Sequence, residues 1–412
     1  MKHQTRIFAF LTAVLAMVSC ARISPMEDED MPISFGSYQY RATKADVSGF
    51  ADGATLPDGS SFGMFAFFHE GTASNPGSWA TAAADPTDAL TNHPNFMLNQ
   101  KVDVSVDASS NYTYSYTPVR FWPAAGSRIT FYAYYPYVSN GYYMGSSPMG
   151  GAAAQFQLVT YMTKDTDGQG SFGFDVAYEA KDQIDFMVSD LCADQNKKEP
   201  IPILTGTASS TETVQFDFHH VLSQVRIANL TVVNDNPNVT ITPKEIRFDK
   251  IAVHGELTVA ENWSSKDANG KVTNTFTWSN QLTDRVGNSI EGVHVEYTGA
   301  KRPGETDEAY AIRTKQNYLM MIPQTFSDEA TLTIIYDVVR AYAGTGEHYS
   351  YTDNEVSAPL KSAKVNGQPL TGWEQNKIYT YTASVSLTGI VLTASYVDWT
   401  EGGYDLDLTA TP

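Results

Sequence analysis

Tyr379-Thr380-Tyr381-Thr382-Ala383-Ser384-Val385-Ser386-Leu387-Thr388 places an apolar or aromatic residue at each odd position and a hydroxyl residue at each even one. Successive side chains of an extended chain point to opposite faces, so this stretch predicts a half-buried antiparallel strand. Val214-Gln215-Phe216-Asp217-Phe218 alternates in the same way. Runs rich in β-branched and aromatic residues extend the strand reading to 62–68, 129–135, 183–189, 223–233, 245–253, 318–322, 330–337 and 390–397. Between them Asp58-Gly59, Asn140-Gly141, Asn269-Gly270 and Asn366-Gly367 supply residues that tolerate positive φ, the last as a two-residue hairpin turn. No long segment keeps a helical period; a short helix is expected at most near 221–225 or around Gln100.

Composition agrees with an all-β chain. Its 412 residues include 24 Tyr and 20 Phe, with only 18% charged residues to populate solvated helix faces. The 42% hydrophobic content is enough for a real core. With 27 Lys and Arg against 46 Asp and Glu, the net charge of −19 argues against nucleic acid or an anionic membrane surface as a partner.

The N-terminus reads as a leader. Lys2 and Arg6 precede an uncharged apolar run from Ile7 to Val18, which is signal-peptide length and too short to span a bilayer. Met17-Val18-Ser19-Cys20 resembles a bacterial lipobox, with Met in place of the usual Leu, which makes Cys20 the lipidation site; the alternative is an ordinary signal peptide cut nearby. Lipidation leaves Cys192 as a lone thiol, most simply a small buried hydrophobe, so no intramolecular disulfide is expected. Glu27-Asp28-Glu29-Asp30 keeps the tether solvated and also resembles a lipoprotein surface-export signal.

Polar, turn-rich segments at 194–200 and 205–211 suggest a division between two β-sandwiches. The expected organisation is a signal peptide over 1–19, a tether and removable first strand over 20–41, an N-terminal sandwich over 42–204 and a C-terminal sandwich over 205–412. The stretches 71–92 and 140–151 read as long surface loops, where binding usually resides.

Several blocks then carry a family resemblance. Phe62-Gly63-Met64-Phe65-Ala66-Phe67, Pro94 to Val102, Tyr116 to Pro123, Ile129 to Pro136 and Phe216 to Val225 resemble, in this order, the successive blocks of the fimbrillin family of Bacteroidales. The resemblance implies two transthyretin-like β-sandwich domains and a role as subunit or accessory protein of a type V pilus. It also implies export as a lipoprotein to the outer membrane, then cleavage by an arginine-specific protease after the first strand. The matching bond here lies between Arg41 and Ala42, with 31–40 as the removable strand, in which Ile33 and Phe35 share a face. Removal would expose an unpaired edge that another pilin subunit's strand can fill by donor-strand exchange. The family's donor is C-terminal; the candidates are Ile390 and Leu392, then Leu406 and Leu408 in the alternating stretch 404–410. Arg41 could instead be one exposed base in a linker, and the C-terminal strands could complete their own sandwich.

No two-His metalloprotease helix, phosphate-binding Gly-rich loop or Gly-x-Ser-x-Gly elbow is present, so no enzyme, catalytic residue or cofactor is expected. Asp165 to Gly170 begins like a calcium loop, but its glycine spacing is wrong and a hairpin turn fits better. His219 and His220 are adjacent in a strand and so point to opposite faces, one inward and one outward, which disfavours a shared metal. The alternative function is a surface glycan-binding lipoprotein with Tyr142 and Tyr143, or Tyr134, Tyr135 and Trp79, stacking on sugars; core packing is the plainer role for these rings. The host or bacterial surface ligand is not specified by any motif.

Overall fold

The computed structural model describes residues 32–37, 56–72, 74–79, 94–109, 111–124, 126–139, 159–164, 170–196, 213–266, 272–282, 292–296, 318–342 and 346–399. The first strands in chain order are β1 (Ser34–Ser37), β2 (Ser61–His69), β3 (Met97–Val106), β4 (Tyr112–Ser115), β5 (Arg128–Tyr135), β6 (Val159–Lys164), β7 (Gly170–Asp175), β8 (Met187–Ser189) and β9 (Cys192–Gln195). They continue as β10 (Thr213–Phe216), β11 (Phe218–His220), β12 (Ser223–Val232), β13 (Val239–Asp249), β14 (His254–Lys266), β15 (Val272–Leu282), β16 (Val293–Glu296), β17 (Tyr318–Met321) and β18 (Gln324–Thr325). The last are β19 (Thr331–Ala341), β20 (His348–Pro359), β21 (Lys364–Val365), β22 (Gln368–Pro369), β23 (Gly372–Trp373), β24 (Lys377–Ser386) and β25 (Gly389–Asp398). Among the described residues the only helical turns are two short 3-10 pieces, Ala180–Asp182 and Leu360–Ser362. The protein is all-β.

The expected strands form, with informative differences at their ends. The strand expected over 245–253 stops at Asp249, because Lys250 adopts a left-handed φ of 55°. Of 183–189 only Met187–Ser189 is strand. Gln183 lies just after the 3-10 turn, where its side chain donates to the Ala177 carbonyl and accepts from the Met320 N–H, at 2.9 and 2.6 Å. Neither suggested helix exists: Val221 and Leu222 are buried in the break between β11 and β12, and Gln100 lies in β3 beside a bulge at Asn99, φ 45°. Asn366 and Gly367, with φ of 50° and 83°, make the two-residue turn between β21 and β22. β6 and β7 pair as a hairpin with Lys164 opposite Gly170.

A seven-stranded sheet orders β11-β8-β5-β2-β3-β4, with β9 also on β5. Its central strands are buried on both faces, which explains why Ser61–His69 and Arg128–Tyr135 are nearly continuous apolar runs rather than alternating ones. Phe62, Met64 and Ala66 of β2 enter one core with Ile33, Phe35, Phe131 and Phe216. Phe65 and Phe67 enter the other, with Tyr132, Tyr134 and Phe172. Farther along, the sheets β17-β12-β24-β25 and β16-β13-β19-β20 share a core in which Phe248 meets Tyr381 at 6.0 Å and Trp373 at 5.8 Å between ring centroids. The alternation of 379–385 is realised there: Tyr379, Tyr381, Ala383 and Val385 are buried.

Strand pairing crosses the division expected at 204/205. β10 pairs with β1, β11 pairs with β8, and the β6–β7 hairpin joins β14 and β15 in one four-stranded sheet. β9 and β11, on either side of that division, belong to the same seven-stranded sheet. The second core likewise runs continuously from Phe65 to Val385.

Candidate functional site

β1 is the shortest route from the sequence reading to a site. It pairs in parallel with β10, Phe35 opposite Val214, while its other flank meets Arg120 and Phe121. Pro32 bridges Phe121, the Ile33 N–H donates to the Arg120 carbonyl at 2.9 Å, and the Tyr116 hydroxyl donates to the Ile33 carbonyl at 2.8 Å. The same hydroxyl accepts from the Arg120 N–H at 3.2 Å. Burial raises the Tyr116 pKa, so this phenol stays protonated and able to donate.

The side chains of this strap are core residues. Ile33 and Phe35 are 2% and 3% exposed. The Phe35 ring lies 5.1 Å from Tyr116, 5.9 Å from Phe131 and 6.0 Å from Phe216. Among the described residues β10 pairs with β1 alone, so the strap supplies the whole hydrogen-bonded neighbour of β10. Cys192, half-buried against this core, donates its thiol to the Gln215 carbonyl at 3.2 Å and is less enclosed than expected.

The C-terminal candidates divide. Ile390 and Leu392 lie in β25, which pairs along its length with β24, and Leu392 is buried in that sheet's own core. β25 thus completes its own sheet. Leu406 and Leu408 lie outside the described residues, as do Cys20, Arg41 and Ala42.

Among the described residues, the sugar-stacking candidates Tyr134, Tyr135 and Trp79 do not assemble into a site. Tyr134 is fully buried, its hydroxyl donating to Asn99 Oδ1 at 2.6 Å, and Trp79 is buried against Phe67 and Tyr132. Tyr135 is half-buried on the other core, and Tyr142 and Tyr143 lie outside the described residues. Packing claims these rings because the seven-stranded sheet is covered on both faces, which alternation alone did not reveal. Trp79 is further fixed by its backbone N–H donating to Asp194 Oδ1 at 2.6 Å, which ties the start of the expected surface loop to β9.

The two adjacent histidines point apart, as strand geometry requires. His220 is fully buried, 3.1 Å from Asp185 and stacked on Trp399 at 4.1 Å; His219 is half-buried and 2.9 Å from Asp190. Asp190, Asp217 and His219 bring their potential ligand atoms within 4.8 Å of one another, an association invisible in the sequence. The Asp190 carboxylate there accepts from both His219 and Asn274, which is the pattern of a structural hydrogen-bond hub.

Layered sheets with a buried first strand define an all-β protein. The chain belongs to the fimbrillin-like family, whose model matches residues 53–399. It is similar to the fimbrium subunit Fim1C of Phocaeicola vulgatus, 23% identical over 420 residues that cover 97% of each chain. Among solved structures it resembles a fimbrial protein from Bacteroides vulgatus, with 22% identity, a TM-score of 0.40 and coverage of 82% of this chain and 93% of that one. It also resembles a C-terminally truncated tip fimbrial protein from Porphyromonas gingivalis, with 11% identity, a TM-score of 0.28 and coverage of 83% and 95%.

Proposed function

We propose that the chain is a subunit or accessory protein of a cell-surface type V pilus, exported as an outer-membrane lipoprotein through Cys20 and acting in adhesion. An arginine-specific protease cuts between Arg41 and Ala42, β1 leaves with the tether, and a strand of another pilin subunit takes its place beside β10. The observation that carries this reading is the seating of β1: a short segment, paired with β10 over four residues, that buries the apolar side chains of Ile33 and Phe35. Its departure would uncover the Phe216 and Phe131 faces together with the free edge of β10, a surface that demands a replacement strand. Because β25 is committed to β24, the donor is the segment 404–410, with Leu406 and Leu408 as the inserting residues, rather than Ile390 and Leu392.

The test is to treat the purified precursor with an arginine-specific protease and follow oligomers by denaturing electrophoresis without boiling. Cleavage at Arg41 followed by a ladder is expected, with no ladder from Arg41→Ala or from a chain ending at residue 400. A ladder that forms equally well from the truncated chain would sink the donor assignment, and clean cleavage without any ladder would sink the exchange mechanism.

A further inference from the structure

A groove of about 650 Å³ opens well away from β1 in the fold. One side of it is four successive residues of β15, Phe276 to Ser279; the other is the paired β18 and β23 with the Glu374 and Gln375 that follow. β15 pairs with β14 along one edge, and the groove follows its other edge. Gln281 ties the two sides by donating to the Pro323 carbonyl at 2.6 Å. Gly372 permits the close approach of β23 to β18, since a Cβ there would sit 2.2 Å from the Gln324 carbonyl oxygen.

The polar atoms of the buried residues are already used in holding these sides. Trp278 Nε1 donates to the Val221 carbonyl at 2.7 Å, Trp373 Nε1 to the Tyr381 hydroxyl at 3.1 Å, and the Gln324 amide bonds both the N–H and the carbonyl of Ala252. The groups that face solvent beside Phe276 and Trp278 are hydroxyls and an amide from the opposite side: exposed Thr325 and Thr371, and half-buried Gln375. Thr277 and Ser279 alternate with the two aromatics and project to the other face of β15, where the Ser279 hydroxyl donates to the Glu256 carbonyl. Half-exposed Phe276 and Trp278 add aromatic surface.

The lining chemistry selects its ligand by elimination. Among the described residues no Lys, Arg or His lines the groove, so an anionic ligand finds no counter-charge there. The one carboxylate among those residues, Glu374, is paired with Lys377 at 2.9 Å, so a cation finds little. An apolar ligand would strip water from the hydroxyls without replacing their hydrogen bonds. An added peptide strand draws specificity from apolar side-chain pockets, and this groove offers hydroxyls in their place. We propose that the groove binds a neutral oligosaccharide, with Phe276 and Trp278 against the C–H faces of its rings and Thr325, Thr371 and Gln375 exchanging hydrogen bonds with its hydroxyls. The site gives the adhesive role a ligand class and rests on the fimbrial reading only for that biological setting.

The test is affinity electrophoresis of the intact chain through gels containing mannan, xylan or β-glucan, with polygalacturonate and gelatin as acidic and polypeptide comparators. Retardation by at least one neutral polysaccharide is expected, reduced at least tenfold by Thr371→Arg and by Thr325→Arg at unchanged melting temperature. Tyr351→Ala, an exposed aromatic change on β20, should leave it intact. Absence of retardation by all three neutral polymers, equal retardation by polygalacturonate or gelatin, or full retention by both arginine variants would each overturn the proposal. The same variants are scored for protease-triggered ladders: a normal ladder with lost retention isolates the groove, whereas a wild-type chain that binds glycan without forming ladders removes the pilus reading and leaves the groove standing.

Discussion

The hydroxyl of Tyr116 reaches the carbonyl of Ile33 at 2.8 Å while its ring lies 5.1 Å from that of Phe35, so one residue holds the first strand by both its backbone and its apolar face. Tyr116→Phe keeps the ring and deletes the hydrogen bond. It should cost about 1 kcal/mol of stability. Cleavage at Arg41 should also become several-fold faster, read as the rate of appearance of the shortened chain. An unchanged melting temperature and cleavage rate would show that the hydroxyl contributes nothing to retention.

Phe35→Ala removes the ring itself from between Phe131 and Phe216. The expected loss is about 3–5 kcal/mol by urea unfolding, the range for emptying a buried aromatic site. Val391→Ala, an exposed change on β25, should stay within about 0.5 kcal/mol of the parent. Similar effects of the two changes would mean that the strap is not packed as described.

Gly63 stands opposite Tyr134 in the β2–β5 pair, and a Cβ at Gly63 would fall 2.1 Å from the tyrosine ring. The ring cannot swing aside freely, because its hydroxyl is anchored to Asn99. Gly63→Val should therefore cost about 3 kcal/mol or more. Gly367→Ala meets no neighbouring atom and carries only the conformational penalty of its φ of 83°, about 1 kcal/mol. Paired denaturation curves should rank Gly63→Val well below Gly367→Ala.

Burial pushes the Tyr379 phenol up to about 12, and burial likewise raises Tyr381. Both folded-state values lie above the ordinary value of 10.0, so the stability these phenols confer is complete below pH 10. It is then lost as pH rises through about 12. Urea midpoints should hold steady between about pH 8 and pH 9.5 and fall beyond pH 10. Tyr381→Phe should flatten that fall. A midpoint that rises above pH 10 would contradict this sign.

The strands were legible in the sequence wherever one face is wet. Tyr379 to Ser386 alternates because β24 has a core row and a half-exposed row, and the turn at Asn366-Gly367 is local chemistry. Less legible were the places where a distant partner decides the outcome. Tyr134 and Trp79 looked available for sugars because nothing in their neighbourhood announces the second layer over β2 and β5. Nor does the local polarity after Cys192 announce that β10 and β11 pair with β1 and β8. The groove at Phe276 and Trp278 is assembled from strands far apart in sequence, so its signal existed only as ordinary strand residues.

The parallel pairing of β12 with β24, Gln224 opposite Ile378, has a meaning in time as well as in space. β12 is made midway along the chain, yet one edge of it waits for a strand near the far end. Closing so long a loop is slow, and until it closes the sheet presents an open edge to any strand nearby. Each molecule therefore passes through an interval in which its second sandwich is translated but unlocked, and arrival of the β24–β25 hairpin ends that interval.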